Sequence, residues 1–449
     1  MNKRNNVIFL ILLFLLSNCS FDSKTGYWDG LEEEKRRVKI IQAEQEKQKN
    51  LIKIYASEKF FYEEKALVKN IILSKPKKNS SWETTAFNNQ NFLGNIYLKG
   101  VDNRFLKEKI GKNKFSLAKI SSQPLSYKND IFISDSKGSI YRINEFGKII
   151  WKQNIYKKIY KKIYKNLAFT IYKNNIYISD NIGLIYAVNA DTGKIVWVKN
   201  HGIPFKSKIK ISDDRIFLIN QDNRILSFST KDGSLIWSVR SASSFIKAQD
   251  SLSLALSKKG DVIAITSSGD LYKINSKNGQ VYWSFNTLEA LGSNIGDFFK
   301  SSDIVVHDKS IIFSTKSSIF SYDLETGGTN WKNEVSSVAT PIVDGKNVFF
   351  VTETGYFIIV DLISGDIISS NYIFKVLKKS KQATVVTGYI MGSGKLYTIT
   401  LNGYLITSSA STGKVEGYKK IGKIISSSPI INNGKMFVYT KKSKILGFN

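Results

Sequence analysis

The 449-residue chain is 42% hydrophobic, which excludes wholesale disorder and leaves room for one large β architecture or about two to three ordinary domains. Its 66 Lys and Arg against 37 Asp and Glu give a formal net charge of +29, which favours anionic partners. Only eight of the basic residues are Arg, whose planar fork reads phosphate and guanine, and no nucleic-acid-binding motif is present, so the charge reads as a lysine-coated surface and nucleic acid is not an expected partner.

The chain opens with MNKRNNVIFLILLFLLSNC, in which Lys3 and Arg4 precede an apolar run of ten residues. That run suits the core of a signal peptide and is too short to span a bilayer as a helix. Cys19, the single cysteine, stands at its end, and LSNC resembles a bacterial lipobox although Asn18 replaces the usual small residue. The expectation is a lipoprotein signal over residues 1–18, lipidation at Cys19, and a mature chain anchored in the outer membrane and facing the periplasm. Ser20, where Asp is absent, resembles the outer-membrane address. A plain secretory signal with a coincidental Cys is the alternative. One cysteine permits no internal disulfide, so stability must come from packing.

Residues 31–73 are rich in Glu, Lys and Gln without Pro or Gly, and Glu32 and Arg36 form an i, i+4 pair, so a helix or two is expected. Residues 19–89 then form a charged, largely helical tether. Its apolar positions hold no clean heptad, and a partner-binding helix is the sharper alternative to a spacer.

From residue 90 to 449 self-similarity dominates. GLIYAVNADTGKIVWVKN, starting at Gly183, has relatives starting at Gly138, Asn223, Gly269, Ser317, Gly355, Gly403 and Ser443, spaced 38 to 48 residues apart. Each unit alternates with period two, turns through Gly, and enters a second apolar run, which is a β-hairpin; a further strand pair lies upstream. Four short strands per repeat is the size of a propeller blade. Turn glycine and tryptophan stand four apart in five units: Gly147 and Trp151, Gly193 and Trp197, Gly233 and Trp237, Gly279 and Trp283, Gly327 and Trp331. The glycine supplies a positive φ, and the indole brings a large surface toward the neighbouring blade. Ser369 and Gly417 replace the Trp in units six and seven, where the contacts should be weaker. The eighth unit stops before its outer strand, and NFLGNIYLKG (residues 91–100) is the expected filler. The predicted fold is all-β, an eight-bladed propeller of four-stranded antiparallel blades, closed by an N-terminal strand. IYKKIYKKIYK (residues 155–165) falls between units one and two as an insertion. In one or two helical turns it would put Ile and Tyr on one side and Lys on the other, which leaves a membrane-facing or acidic-partner contact open.

The pattern at Gly183 to Trp197, with its Thr-Gly-Lys turn, resembles the repeat of quinoprotein-type propellers, and a lipobox followed by eight such repeats is similar to the BamB family. The resemblance implies a non-catalytic scaffold of outer-membrane β-barrel assembly, without cofactor or metal. It also implies binding of a BamA-like barrel assembly protein and other Bam subunits. The long segment 31–73 departs from the usual short tether.

A periplasmic quinoprotein (PQQ-dependent) dehydrogenase, or another ligand-binding propeller, is the alternative. Members of that class commonly carry an adjacent Cys-Cys pair and a carboxylate cluster for calcium, and the sequence has neither. His201 and His307 lack metal-ligand spacing. VVHDKS around His307 reads as a loop where no nucleophile elbow exists, and Asp191-Thr192-Gly193 reads as turn chemistry because it recurs as a blade turn.

Overall fold

The computed structural model describes residues 19–22, 27–50, 61, 63–112, 123–241, 252–287, 301–337, 339–379, 384–423, 425 and 427–449. Eight four-stranded antiparallel sheets form an eight-bladed propeller, seven of them built from consecutive strands. Blade two shows the pattern with strands Leu167–Tyr172, Asn175–Asp180, Leu184–Asn189 and Ile195–Asn200. The second and third strands are covered on both faces by adjoining blades, so they read as continuous apolar runs: Asn347–Val351 and Val262–Ile265 are buried at every position. Contacts between first strands of successive blades place these strands nearest the axis. The fourth strands form the rim and regain alternate exposure, as in Leu235–Arg240.

Antiparallel order puts the first-to-second and third-to-fourth turns of every blade on one side, here the front face. The second-to-third turns and the connections between blades lie on the back face. In the back turns, one side-chain oxygen accepts the N–H four residues on: Asp135 from Ser139, Asp180 from Leu184, Asn220 from Arg224, Thr266 from Asp270, Thr352 from Tyr356, Thr400 from Tyr404 and Thr440 from Lys444. Blade five differs only in reach, its Thr315 hydroxyl accepting from the Ser318 N–H three residues on, so short polar side chains serve the back turn in each blade.

Blade eight joins the chain ends. Ile430–Asn432, Lys435–Tyr439 and Lys444–Phe448 come from the C-terminus. The outer strand is Arg104–Lys109, paired from Arg104 with Phe448 to Lys109 with Lys444. An N-terminal strand closes the ring, but it is not residues 91–100. The closing strand RFLKEK buries Leu106 and exposes its charges, the composition of a protected edge. The alternating residues 91–100 are drawn to the axis instead, where Leu93, Ile96 and Leu98 are buried.

Before the ring closes, the chain wraps it. The helix Leu31–Asn50 lies on the back face. Residues 63–69 run along the outer strand of blade six, with Lys65 and Ser370 exchanging backbone hydrogen bonds at 2.9 Å and the Val68 N–H donating to the Ile368 carbonyl at 3.2 Å. Lys69 then pairs with Asp361 on the front face. Residues 74–100 circle the first strands.

Candidate functional site

The turn glycines of blades two to six each meet the tryptophan of the preceding blade. A Cβ on Gly193 would fall 2.8 Å from the Trp151 ring, on Gly233 2.7 Å from Trp197, on Gly279 3.0 Å from Trp237, and on Gly365 2.6 Å from Trp331. Positive φ (72° at Gly193 and Gly233) and this close approach both require glycine. The indole N–H completes the clamp by donating to the carbonyl three residues before that glycine: Trp151 to Ala190 at 3.0 Å, Trp197 to Thr230 at 3.0 Å, Trp237 to Ser276 at 2.9 Å and Trp331 to Leu362 at 3.0 Å. Trp283 is the exception: its buried N–H finds no partner, and Phe285 stacks on it at 5.5 Å and shares the approach to Gly327. Gly147 is met by Leu106 and Glu108 of the closing strand, which stand where a Trp would. In blade six Ser369 and Asn371 meet Gly413, and in blade seven the site of Gly417 is open, with nothing within 4 Å.

The front face is also stapled electrostatically. Lys128 pairs with Asp191 at 3.3 Å, Lys173 with Asp214 at 2.7 Å, Lys258 with Asp308 at 2.8 Å, Lys259 with Glu325 at 3.2 Å, and Lys435 with Glu145, each pair bridging adjacent blades. Asp191 of the Asp-Thr-Gly sequence is thus held by Lys128 and Arg142 in a turn.

The axis is filled by the chain itself. Trp82 and Ser126 of blade one exchange backbone hydrogen bonds at 2.7 and 3.0 Å. Ile171 of blade two donates to the Glu83 carbonyl, Leu256 of blade four to Asn89, Val306 of blade five to Gln90, and Ser393 of blade seven to Ile96, while Lys99 donates to Gly434 of blade eight. Blade six contributes Asp344, which accepts from the N–H and hydroxyl of Ser74 at 2.8 and 2.5 Å. Blade three contributes Lys210, whose fully buried ammonium donates to the carbonyls of Thr85 at 3.0 Å and Asn88 at 2.7 Å. Burial pushes Lys210 down from 10.5 to about 7. Asn91, also buried, donates to the carbonyls of Leu254 and Ile304. From Trp82 to Lys99 the segment meets blades one to five and then seven and eight in ring order, and blade six is met by Ser74, ahead of that run. A polar cavity of about 550 Å³ remains on this segment, between Lys78, Glu83, Phe87, Asn89 and Tyr172. Deeper in the channel Asp303 accepts from Lys208 at 2.6 Å and from the Thr340 hydroxyl at 2.7 Å.

On the back face the IYKK insertion docks the helix. Ile155, Tyr156, Tyr160, Ile163 and Lys165 are buried, while Lys158, Lys161 and Lys162 are exposed around a short 3-10 turn at Lys158–Tyr160. Tyr160 donates to Glu34 of the helix at 2.6 Å, Arg37 pairs with Glu34 at 2.6 Å and caps the carbonyls of Ile182 and Gly202, and Gln45 donates to the Tyr164 carbonyl at 3.1 Å. Burial of Glu34 opposes ionisation, but the hydrogen bonds from Arg37 and Tyr160 outweigh it and hold its carboxyl below the usual value. Sequence reading missed Glu34, Trp82, Asn91 and Lys210. The available signals were a lone Trp and an Asn-rich run inside a supposed linker, and a Lys within the apolar alternation KIKIS.

Residues 1–18 lie outside the described residues. Cys19 begins a short strand, Cys19–Asp22, paired with Tyr27–Gly30 directly before the helix. His201 packs against Phe205 and Phe228, and burial lowers it to about 4. His307 stacks on Phe92 of the axial segment at 4.5 Å. Among the described residues no group of three or more His, Cys, Asp or Glu is placed to hold a metal.

The model of one protein family, described as outer membrane protein assembly factor BamB, matches residues 112–371, more than half of the chain. The chain belongs to the BamB family. BamB of Yersinia pestis is 20% identical over 328 residues, covering 71% of this chain and 81% of that protein. BamB of Shewanella oneidensis is 22% identical over 263 residues, covering 57% and 64%. Among solved structures, BamB from Moraxella catarrhalis superposes with a TM-score of 0.63 at 13% identity, covering 77% of this chain and 99% of that one. A europium-containing methanol dehydrogenase superposes at 0.60 with 11% identity, covering 81% and 90%. At these identities the structural likenesses show the shared propeller, and the BamB family assignment carries the functional class, outer-membrane protein assembly.

Proposed function

We propose that this chain is a non-catalytic scaffold of the outer-membrane β-barrel assembly machinery, anchored through acylated Cys19 at the outer membrane and facing the periplasm. It binds periplasmic domains of a BamA-like barrel-inserting subunit alongside other Bam subunits. The observation that carries the reading is the BamB match across the repeats. The axial segment supports the scaffold role: Trp82, Asn91 and Lys210 commit the middle of the axis to the chain's own packing and leave the polar cavity at its front end. Affinity purification from envelope membranes under conditions that preserve the assembly complex tests this, with co-recovery of the barrel-inserting subunit expected. Its absence there overturns the reading.

The likeness to a methanol dehydrogenase keeps one rival, a quinoprotein-like dehydrogenase. Purified protein given pyrroloquinoline quinone and calcium is expected to leave a redox dye unreduced in the presence of alcohols or sugars. Dye reduction would establish the rival.

A further inference from the structure

The two faces of the ring treat their charges differently. On the front face Asp191, Asp214, Asp308, Glu325 and Glu145 are spent on lysines of neighbouring blades. On the back face, around blade one, the carboxylates are buried and used internally. Asp135 accepts from the N–H groups of Lys112, Lys137 and Ser139 and from the Tyr141 hydroxyl. Asp180 accepts from Ile182, Gly183, Leu184 and the Tyr156 hydroxyl. Glu34 is held by Arg37 and Tyr160. Lys112, Lys137, Lys158, Lys161, Lys162 and Lys442 are exposed on this side, and among the described residues none of the six enters an ion pair. They form one surface because the backbone joins them: Ile110 donates to the Ser443 carbonyl, the Ser136 hydroxyl to that of Lys112, and the Lys165 N–H to that of Ser136. The helix beside them carries both signs, with Lys35 held by Glu32 at 2.5 Å.

We propose that this basic surface is a docking site for the phosphate headgroups of an anionic bilayer. Two observations choose a bilayer over an acidic protein. The hairpin that begins at Cys19 runs straight into the docked helix, so the anchor proposed above enters at this face, on which this inference rests. The insertion seats Ile155, Tyr156, Tyr160 and Ile163 in the ring and leaves only lysines projecting, which suits contact with a plane of charge rather than insertion into an apolar groove. Anchor and basic patch then form the two signals that hold a protein against a membrane in one orientation. The front face, with its polar cavity, is presented to the periplasm.

The full chain carrying Cys19→Ser, which cannot be acylated, is to be tested by flotation with vesicles. Binding is expected to phosphatidylglycerol-containing vesicles and not to pure phosphatidylcholine, with release as salt is raised. Each lysine within reach of the surface strengthens binding by up to about fivefold, so K137Q/K158Q/K161Q/K162Q is expected to weaken it by about a hundredfold or more. A front-face set that removes the same charge, K148Q/K194Q/K346Q/K414Q, is expected to leave it within about twofold, since distance and screening remove those lysines from the surface. Equal loss in the two sets, equal binding to both vesicle types, or no binding overturns the proposal; so does loss of a soluble acidic partner in the back-face variant without any change in flotation. Mass spectrometry of the unsubstituted protein from envelopes reports the acyl chains separately. Their absence with flotation intact fails the anchor and leaves the surface standing.

Discussion

A tryptophan in this ring acts on a blade it does not belong to, because its ring lies on the next blade's turn glycine and its N–H on that turn's carbonyl. Trp237→Phe removes the donor to Ser276 and leaves a carbonyl unpaired, whereas Trp283→Phe removes no hydrogen bond. Chemical denaturation is expected to find the first variant less stable than the second by about 1 kcal/mol or more. A second residue-scale effect concerns Lys210. Its folded value of about 7 lies below the ordinary 10.5, so between these values the unfolded chain holds a proton that the folded chain lacks. Stability therefore rises with pH across that window, by up to about 1.4 kcal/mol per unit, and its loss is complete once pH falls to the folded value. Urea melts at pH 7 and pH 10 are expected to show this rise in the native chain and a flatter response in Lys210→Met.

At the scale of elements, the helix Leu31–Asn50 is held by a few polar contacts centred on Glu34 and by Val38 and Ile41 in the core. Tyr160→Phe removes the donor to Glu34 and is expected to raise amide exchange over residues 32–46 while strands such as Asn347–Val351 stay protected. Because Glu34 has its value lowered on folding, the docking it supports is fully present above the ordinary 4.5 and fades as pH falls through the depressed value. The same amides are therefore expected to lose protection only as pH falls below 4.5. These elements also mark where sequence was legible. Gly-x-x-x-Trp spacing and period-two alternation exposed the blades, because every blade repeats one solution to one packing problem. The path of residues 61–109 was not legible: alternation in residues 91–100 looks like a strand whether it pairs at the rim or lines an axis, and RFLKEK hides a strand behind the charges that protect its edge. The insertion was half legible. Its four-residue period predicted the apolar and basic sides, while its partner, Glu34, lies 126 residues away from Tyr160 in sequence and leaves no local trace.

For the whole molecule, the closing of blade eight decides how the ring fails. An open array of repeats frays from its ends, since each unit meets only its neighbours. Here the ends are paired with each other through Arg104–Lys109 and Lys444–Phe448, and the axial segment 74–100 ties the first strands of the blades together. Unfolding of any one blade must therefore expose two interfaces at once, and the ring should unfold as a unit. Two deletions separate closure from mere attachment of the N-terminal region. Loss of residues 19–60 removes the helix but neither the axial segment nor the closing strand, and is expected to leave a single denaturant transition at nearly the same midpoint. Truncation after Lys442 removes the third strand of blade eight, leaves Arg104–Lys109 without its partner, and creates two free edges. That variant is expected to unfold at lower denaturant with a shallower slope, as blades detach from the new ends. Equal slopes in the truncated and intact chains would show that cooperativity comes from the inter-blade clamps alone.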